Sequence, residues 1–354
     1  MTVTRRANVA GLGLMGGSIA LALRDHRWHV TGDDLDAARV ERALTMGAID
    51  VGGFDAGADI TFIATPVLSI VDQVKRVLAE STGLVTDVGS VKSGIAAAID
   101  DPRFVGGHPM AGSELEGFDG ADASMFEGAV WVLTPSSTTA DSTFSQVAAI
   151  VAELGADVVA LPADRHDQVV AVISHVPHLA AATLMGLASD RAEEHAALLR
   201  LAAGGFRDMT RIASGHPAIW LDICAENRPA ILSALDGLID GLASMRDVVD
   251  RDDRVALFDR LQHAREARTN LPNRVNQPSE LAEVRIPIPD RPGAAAEVFT
   301  LAAELGVNIA SFEVVHSVEG NRGVAVVLVD VATADLYRGG LLARGYRPAV
   351  QRLA

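Results

Sequence analysis

From residue 8, NVAGLGLMGGSIALAL runs from an apolar, strand-like stretch through three glycines straight into a helical pattern. Gly11, Gly13 and Gly16 keep the order G-x-G-x-x-G. The first permits a tight turn, the second lets the backbone approach a pyrophosphate, and the third lets the helix pack closely on the sheet. Leu14 and Met15 open that helix, whose N-terminus attracts phosphate. Glycine-rich turns also occur for purely structural reasons, so the pattern gains its weight from the next strand. That strand candidate, WHVTGDD, ends on two acids, and Asp34 falls 21 residues beyond Gly13, near the spacing of the acid that binds adenosine ribose hydroxyls. Asp33 is the alternative ribose ligand, and Asp33 or Asp36 could instead cap the next helix. An acid here with no Arg directly after it repels a 2′-phosphate, which favours NAD over NADP. Thr65 and Pro66, closing the strand candidate ADITFIATP, face the same crevice, and Pro66 also suits a helix start.

Strand-like and helical runs continue to alternate up to about residue 160: GLVTDVGS, RFVGGHP and AVWVLTP are strand candidates between helical stretches. Such alternation predicts a parallel sheet covered on both faces, an α/β domain of the Rossmann type over residues 1–163. Over 164–268 the strand signals mostly stop and Ala/Leu-rich helical stretches succeed one another, with breaks at Pro229 and near Asp250. Apolar residues on several of their faces predict an all-α domain packing on itself and on a second subunit. The polar stretch 269–280, with two prolines, reads as a linker. Residues 281–354 then predict a small α+β unit of order βαββαβ.

The 46 acidic residues exceed the 30 basic ones for a formal charge of −16, which argues against nucleic acid or an anionic membrane as a partner. One cysteine, Cys224, excludes an internal disulfide and fits a reducing cytoplasm. The N-terminus enters a strand pattern with no room for a signal peptide. The run VVAVISHVPHLAAATLMGLAS is about as long as a membrane span, but His175, Pro177 and His178 within it favour burial in a helical core. These features predict a soluble, cytoplasmic protein.

The stretch GGHPMAGSE, residues 106–114, is too rich in glycine for a helix and makes a poor strand, so it reads as a shaped loop. Its order in the chain places His108 at the carboxyl edge of the sheet, where Ser90 and Lys92 of DVGSVKS also fall. A His beside a nicotinamide can remove a hydroxyl proton while hydride leaves the same carbon; a loop His bonded to backbone is the alternative. In the helical segment, GGFRDMTRIA puts Arg207 and Arg211 on one face beside Asp208. Arg211 is a natural fork for a carboxylate, although Arg–Asp spacing of this kind also makes surface salt bridges. Trp220 reads as core or interface. His166, His175 and His178 lie near one another, but no carboxylate or cysteine spacing completes a metal site.

GLGLMGGS, DVGSVK, GGHPMAGSE, FEGAVWVLTP, HDQVVAVISHVPH and GGFRDMTRIA…IW, in this order, resemble the prephenate and arogenate dehydrogenases of tyrosine biosynthesis over roughly residues 7–265. The resemblance implies NAD-dependent oxidative decarboxylation of a cyclohexadienol by a homodimer, with His108 as base and Ser90 as its hydrogen-bonding partner. It implies that Arg211 holds a substrate carboxylate, and that Glu114, Arg207, Asp208, Trp220 and His178 line or gate the pocket. Prephenate and arogenate both remain open as substrate. The last unit resembles ACT domains through its element order, PDRPG turn and GVNI stretch. That implies an amino-acid effector, most simply tyrosine, near Asp290, Arg291, Gly293 and Asn308; an ordinary turn and a unit that only aids assembly are the alternatives. β-Hydroxyacid dehydrogenases share the two-domain plan but use a Lys in the helical domain, and 164–268 contain none. A non-catalytic, amino-acid-responsive NAD-binding regulator is a further reading, and it predicts no turnover.

Overall fold

The computed structural model describes residues 4–112, 117–192, 202–271, 281–289, 291–316 and 322–352. By contact the chain separates into two compact units, 1–244 and 245–354.

The first unit is built on an eight-stranded sheet of order β3-β2-β1-β4-β5-β6-β7-β8. Its strands are β1 (Arg6–Ala10), β2 (His29–Asp33), β3 (Val51–Gly52), β4 (Ile60–Ile63), β5 (Leu84–Asp87), β6 (Phe104–Pro109), β7 (Val130–Thr134) and β8 (Asp157–Ala160). β4 is buried at every position, as both-face coverage requires. Helices α1 (Leu14–Asp25), α2 (Ala37–Thr45), α3 (Val67–Glu80), α4 (Ser93–Ala98) and α5 (Asp141–Glu153) supply that coverage. Ile19, Leu23, Trp28, Val30, Phe62 and Trp131 form the centre of the larger core.

Two expectations change here. β6 and β7 pair antiparallel, so the sheet is not parallel throughout. Only short 3-10 turns at Phe118–Gly120 and Ala123–Phe126 are described between them, and without a crossover helix the chain returns beside the strand it left. The strand candidate RFVGGHP forms as such, against the loop reading of GGHP: β6 runs through Gly106, Gly107 and His108 to Pro109, with His108 opposite Val132. β7 provides the pairing, and the glycines meet a packing demand, since a Cβ on Gly107 would lie 2.6 Å from the Asp87 carbonyl oxygen.

After β8 the chain is helical. α6 (Ala163–Val170), a π-helical turn (Ala171–His175) and α7 (Val176–Ala192) come in succession, then α8 (Gly204–Thr210), a 3-10 turn (Arg211–Ser214), α9 (Pro217–Glu226) and α10 (Arg228–Asp250). α9 starts on Pro217 behind His216, whose ring accepts from the Ala218 N–H. The membrane-length apolar window in Ala163–Arg191 is one-third buried within the chain, less than a core helix would be. Its His166, Asp167, His175 and His178 are nevertheless buried. Leu221, Leu232, Ile239 and Leu242 are exposed along α9 and α10.

The second unit contains α11 (Arg254–Thr269), capped by Asp253, and a four-stranded antiparallel sheet of order β10-β11-β9-β12. β9 (Leu281–Pro289), α12 (Ala294–Glu304), β10 (Ile309–His316), β11 (Arg322–Asp330), α13 (Val331–Ala343) and β12 (Ala349–Arg352) give the order βαββαβ. β9 alternates buried and exposed residues towards its end, the pattern of a sheet with one face under helices. Val284, Ile286, Val298, Leu301, Val327 and Tyr337 fill that interface.

Candidate active site

The loop from β1 to α1 lies where the strand order turns back between β1 and β4, the usual ligand crevice of such sheets. Gly11 has φ +93°, and a Cβ on it would sit 2.5 Å from the Ala64 carbonyl oxygen, so glycine is required. A Cβ on Gly16 would fall 1.8 Å from the Gly11 carbonyl oxygen, so its absence lets α1 press against its own loop. At Gly13 the same Cβ meets nothing within 4 Å. α1 has neither a side-chain cap nor an acid in its first turn, leaving its first N–H groups to an anion.

The Asp34 carboxylate accepts from the Leu12 N–H at 2.7 Å and the Asp36 N–H at 2.9 Å, tying β2 to the glycine loop. Asp36 caps α2. The Thr65 hydroxyl is buried without a hydrogen-bond partner among the described residues. Gly11, Gly13, Leu14, Met15, Asp34, Thr65 and Pro66 all line one cleft of about 690 Å³. An open glycine, an uncapped helix and an orphaned hydroxyl in one cleft wall fit a pyrophosphate dinucleotide. Gly13→Val is therefore expected to keep the melting temperature and to weaken NADH binding roughly tenfold or more. Fluorescence titration checks this; a joint fall in stability and affinity would make Gly13 structural.

Ser90 and His108 line the same cleft. The described partner of the His108 ring is not Ser90 but His166, with His108 Nδ1 2.8 Å from His166 Nε2. His166 Nδ1 lies 2.8 Å from Asp167 Oδ1. The two Asp167 oxygens also accept the Lys92 and Ser93 N–H groups, each at 2.8 Å. Burial pushes the Asp167 pKa up, but the hydrogen bonds from His166, Ser93 and Lys92 outweigh it and hold the group below the usual carboxylate range. An ionised carboxylate only accepts, so His166 carries a proton on Nδ1, and in the neutral ring its Nε2 accepts. His108 must then donate from Nδ1, which leaves its Nε2 with a free lone pair. Burial, then the neighbouring His166, Lys92 and His175, hold the His108 pKa well below 6.5. His108 is thus a neutral base of fixed tautomer at neutral pH.

Asn227, at the end of α9, donates to the Asp167 carbonyl at 2.9 Å and lies 3.2 Å from His175 Nδ1. Burial pushes His175 down to about 4. The π-helical turn puts His175 inside this network; such turns are common at functional sites.

The other expected site residues are dispersed. α9 divides two cavities: Ile219, Asp222 and Ile223 line the His108 cleft, while Trp220, Leu221 and Cys224 line a second of about 740 Å³ with His178 and Arg228. His178 stacks on Trp220 with ring centres 3.6 Å apart. Arg207, Asp208 and Arg211 are exposed on α8 and the turn after it, and Arg207 donates to the Ala202 carbonyl. Glu114 and Asp290 lie outside the described residues. Arg291 pairs with Glu297 at 2.7 Å, and the Tyr346 hydroxyl donates to the same carboxylate at 2.6 Å. Gly293, at φ +88°, precedes α12, and Asn308 is exposed just before β10. Reading the sequence alone misses Asp167, Asn227 and the link from His166 to His108. The HD pair at the start of a helix is the available signal, but nothing in sequence spacing brings residue 166 to residue 108.

A dinucleotide cleft with a tautomer-fixed histidine at its sheet edge, followed by a helical region, defines a two-part oxidoreductase of the Rossmann class. The family model "Prephenate dehydrogenase, nucleotide-binding domain" matches residues 19–160, and "Prephenate dehydrogenase, dimerization domain" matches 162–263. The chain belongs to the prephenate dehydrogenase family. A prephenate dehydrogenase from Bacillus subtilis is 34% identical over 333 residues, which are 89% of this chain and 90% of its own. A crystal structure of prephenate dehydrogenase from Aquifex aeolicus with hydroxyphenyl propionate and NAD+ superposes with TM-score 0.72 at 28% identity, covering 77% of this chain and 100% of that one. Synechocystis arogenate dehydrogenase gives 0.65 at 29% identity, covering 74% of this chain and 98% of that one.

Proposed function

We propose that this chain oxidises prephenate with NAD, releasing CO2 and 4-hydroxyphenylpyruvate. The observation that carries the reading is the His108–His166–Asp167 chain at the edge of the dinucleotide cleft. When bound there, the nicotinamide supplies a hydride acceptor. His108 Nε2 takes the proton of the ring hydroxyl as hydride leaves the carbon that bears it. The ketone so formed is conjugated through the ring to the carbon holding the carboxylate, and loss of CO2 restores aromaticity. The ring oxygen is reprotonated in that step, which returns His108 to its neutral form. Arg211 is the proposed fork for a substrate carboxylate, with Glu114, Arg207 and Asp208 as further substrate contacts, His178 and Trp220 acting from the second cavity across α9, and Ser90 beside the base. Asp34 is the proposed ribose ligand, and its charge favours NAD over NADP.

Arogenate is the second substrate reading, favoured by the likeness to the Synechocystis enzyme. Offering both substrates with NAD and monitoring the absorbance of NADH tests the proposal; turnover of neither rejects it in favour of a non-catalytic regulator. Exposed apolar residues on α9 and α10, with the matched dimerization domain, support a homodimer. The single cysteine and the acidic charge support work in the cytoplasm, away from nucleic acid.

The βαββαβ unit is proposed to be an ACT domain binding tyrosine as feedback inhibitor, near Asp290, Arg291, Gly293 and Asn308. Tyrosine is expected to inhibit the full chain, and Arg291→Ala to raise its half-inhibitory concentration roughly tenfold, the scale of one lost charge-assisted hydrogen bond. Unchanged inhibition in that variant places the effector elsewhere.

A further inference from the structure

Of the 30 basic residues in the chain, two are lysines, Lys75 and Lys92. Lys92 is also the only lysine or arginine buried among the described residues. Its ammonium pairs with Asp87 Oδ2, and both side chains are fully out of solvent. The same ammonium donates to the Gly107 carbonyl at 2.8 Å. From the other side, Asp87 Oδ1 accepts the Gly107 N–H at 3.2 Å, and Asp87 Oδ2 accepts the Gly89 N–H at 2.8 Å. Both polar groups of the residue before His108 are therefore held by one ion pair. The Lys92 N–H meanwhile holds Asp167, which sets the tautomer of the His166 that His108 touches.

Space excludes a looser arrangement. A Cβ on Gly106 would lie 2.5 Å from Thr134 Oγ1 and 3.5 Å from Lys92 Cδ. A fork as broad as guanidinium needs more room than a compact ammonium. A buried ion pair of this kind is weak evidence for stability, because desolvation offsets its attraction.

We propose that Asp87 and Lys92 are a positioning pair for His108, fixing the strand that carries the base and the carboxylate that orients it. The proposal rests on the assignment of His108 as base. In the full chain, Lys92→Met is expected to lower kcat about 100-fold, the cost of roughly 1 Å of misplacement. KM and NADH affinity are expected to stay near wild type, while the melting temperature falls, because the Asp87 carboxylate is left buried without its counter-charge. His166, His175, Lys92 and Asp167 are the ionisable groups acting on His108. Removing the one ammonium among them should move titration of the His108 ring upward, read by NMR of the labelled imidazole. An unmoved titration would mean that the ammonium does not act on the ring, and the split between kcat and NADH affinity separates positioning from a purely structural role.

Asp87→Asn, nearly isosteric, is expected to show the same loss of kcat with NADH affinity kept, and it decides the matter if Lys92→Met does not fold. A kcat within a few-fold of wild type, or kcat and NADH affinity falling together in the folded variant, overturns the proposal. If the wild type turns over neither prephenate nor arogenate, the functional reading fails, and the ring titration still judges Lys92.

Discussion

His108→Asn is expected to lower kcat by about 10²- to 10⁴-fold, the usual worth of a positioned general base. NADH affinity should change little, because the described hydrogen bond of the His108 ring runs to His166 and not to the glycine loop. Asn is close to the imidazole Nδ1 edge in shape and can still donate towards His166, so the network survives while the Nε2 lone pair is lost. The pH dependence has a definite sign. Protonated His108 cannot accept the hydroxyl proton, and burial with three neighbouring basic groups holds its pKa well below 6.5. kcat/KM in the wild type should thus stay level from neutral pH down through 6.5 and fall only at more acid pH. A decline centred at 6.5 or above would show an ordinary, solvated histidine. Loss of NADH binding together with turnover in the variant would make His108 a structural residue of β6.

Asp167→Asn is expected to be nearly as damaging, although Asp167 is one residue removed from any contact with His108. The carboxylate accepts from His166 Nδ1 and from two backbone N–H groups. An amide keeps one acceptor and turns an NH₂ towards one of those donors. His166 is then free to carry its proton on Nε2 and present it to His108 Nδ1. That leaves His108 protonated on Nε2, the wrong tautomer for a base. The expected loss of kcat is about 10²- to 10⁴-fold, as for the aspartate of a catalytic triad. Leaving a buried N–H unsatisfied should also cost about 1–3 kcal/mol of stability. Kinetics, thermal melting and the imidazole nitrogen shifts of His108 measure the three effects separately. An unchanged His108 tautomer with unchanged kcat would remove Asp167 from the mechanism.

The two ends of the site differ in how far they can be read from residues alone. The dinucleotide end is local: Gly11, Gly13, Gly16 and Asp34 lie within 24 consecutive residues. Strand–turn–helix geometry there results from glycine conformation and from the spacing of one βαβ unit. The βαββαβ order of the last unit is legible for the same reason, since each turn is marked by its own Gly, Pro or Asp. His108 stands out by its glycine neighbours, but those glycines mislead about its conformation. They suggest a loop, whereas they sit in β6 because Asp87, Trp131 and Thr134 leave no room for a Cβ. The antiparallel return of β7 is likewise hidden, because the two 3-10 turns described between β6 and β7 have no periodicity to read.

What the sequence determined by itself is the alternating α/β framework, the dinucleotide loop and the candidacy of His108. These rest on period, turn chemistry and short-range spacing, which a linear chain carries openly. What only the tertiary structure decided is how that histidine is made a base. His166 and Asp167 are 58 and 59 residues away, and Lys92 and Asp87 reach the preceding glycine from another strand edge. Tautomer, charge and burial arise from which groups meet inside the fold, and no local pattern encodes those meetings.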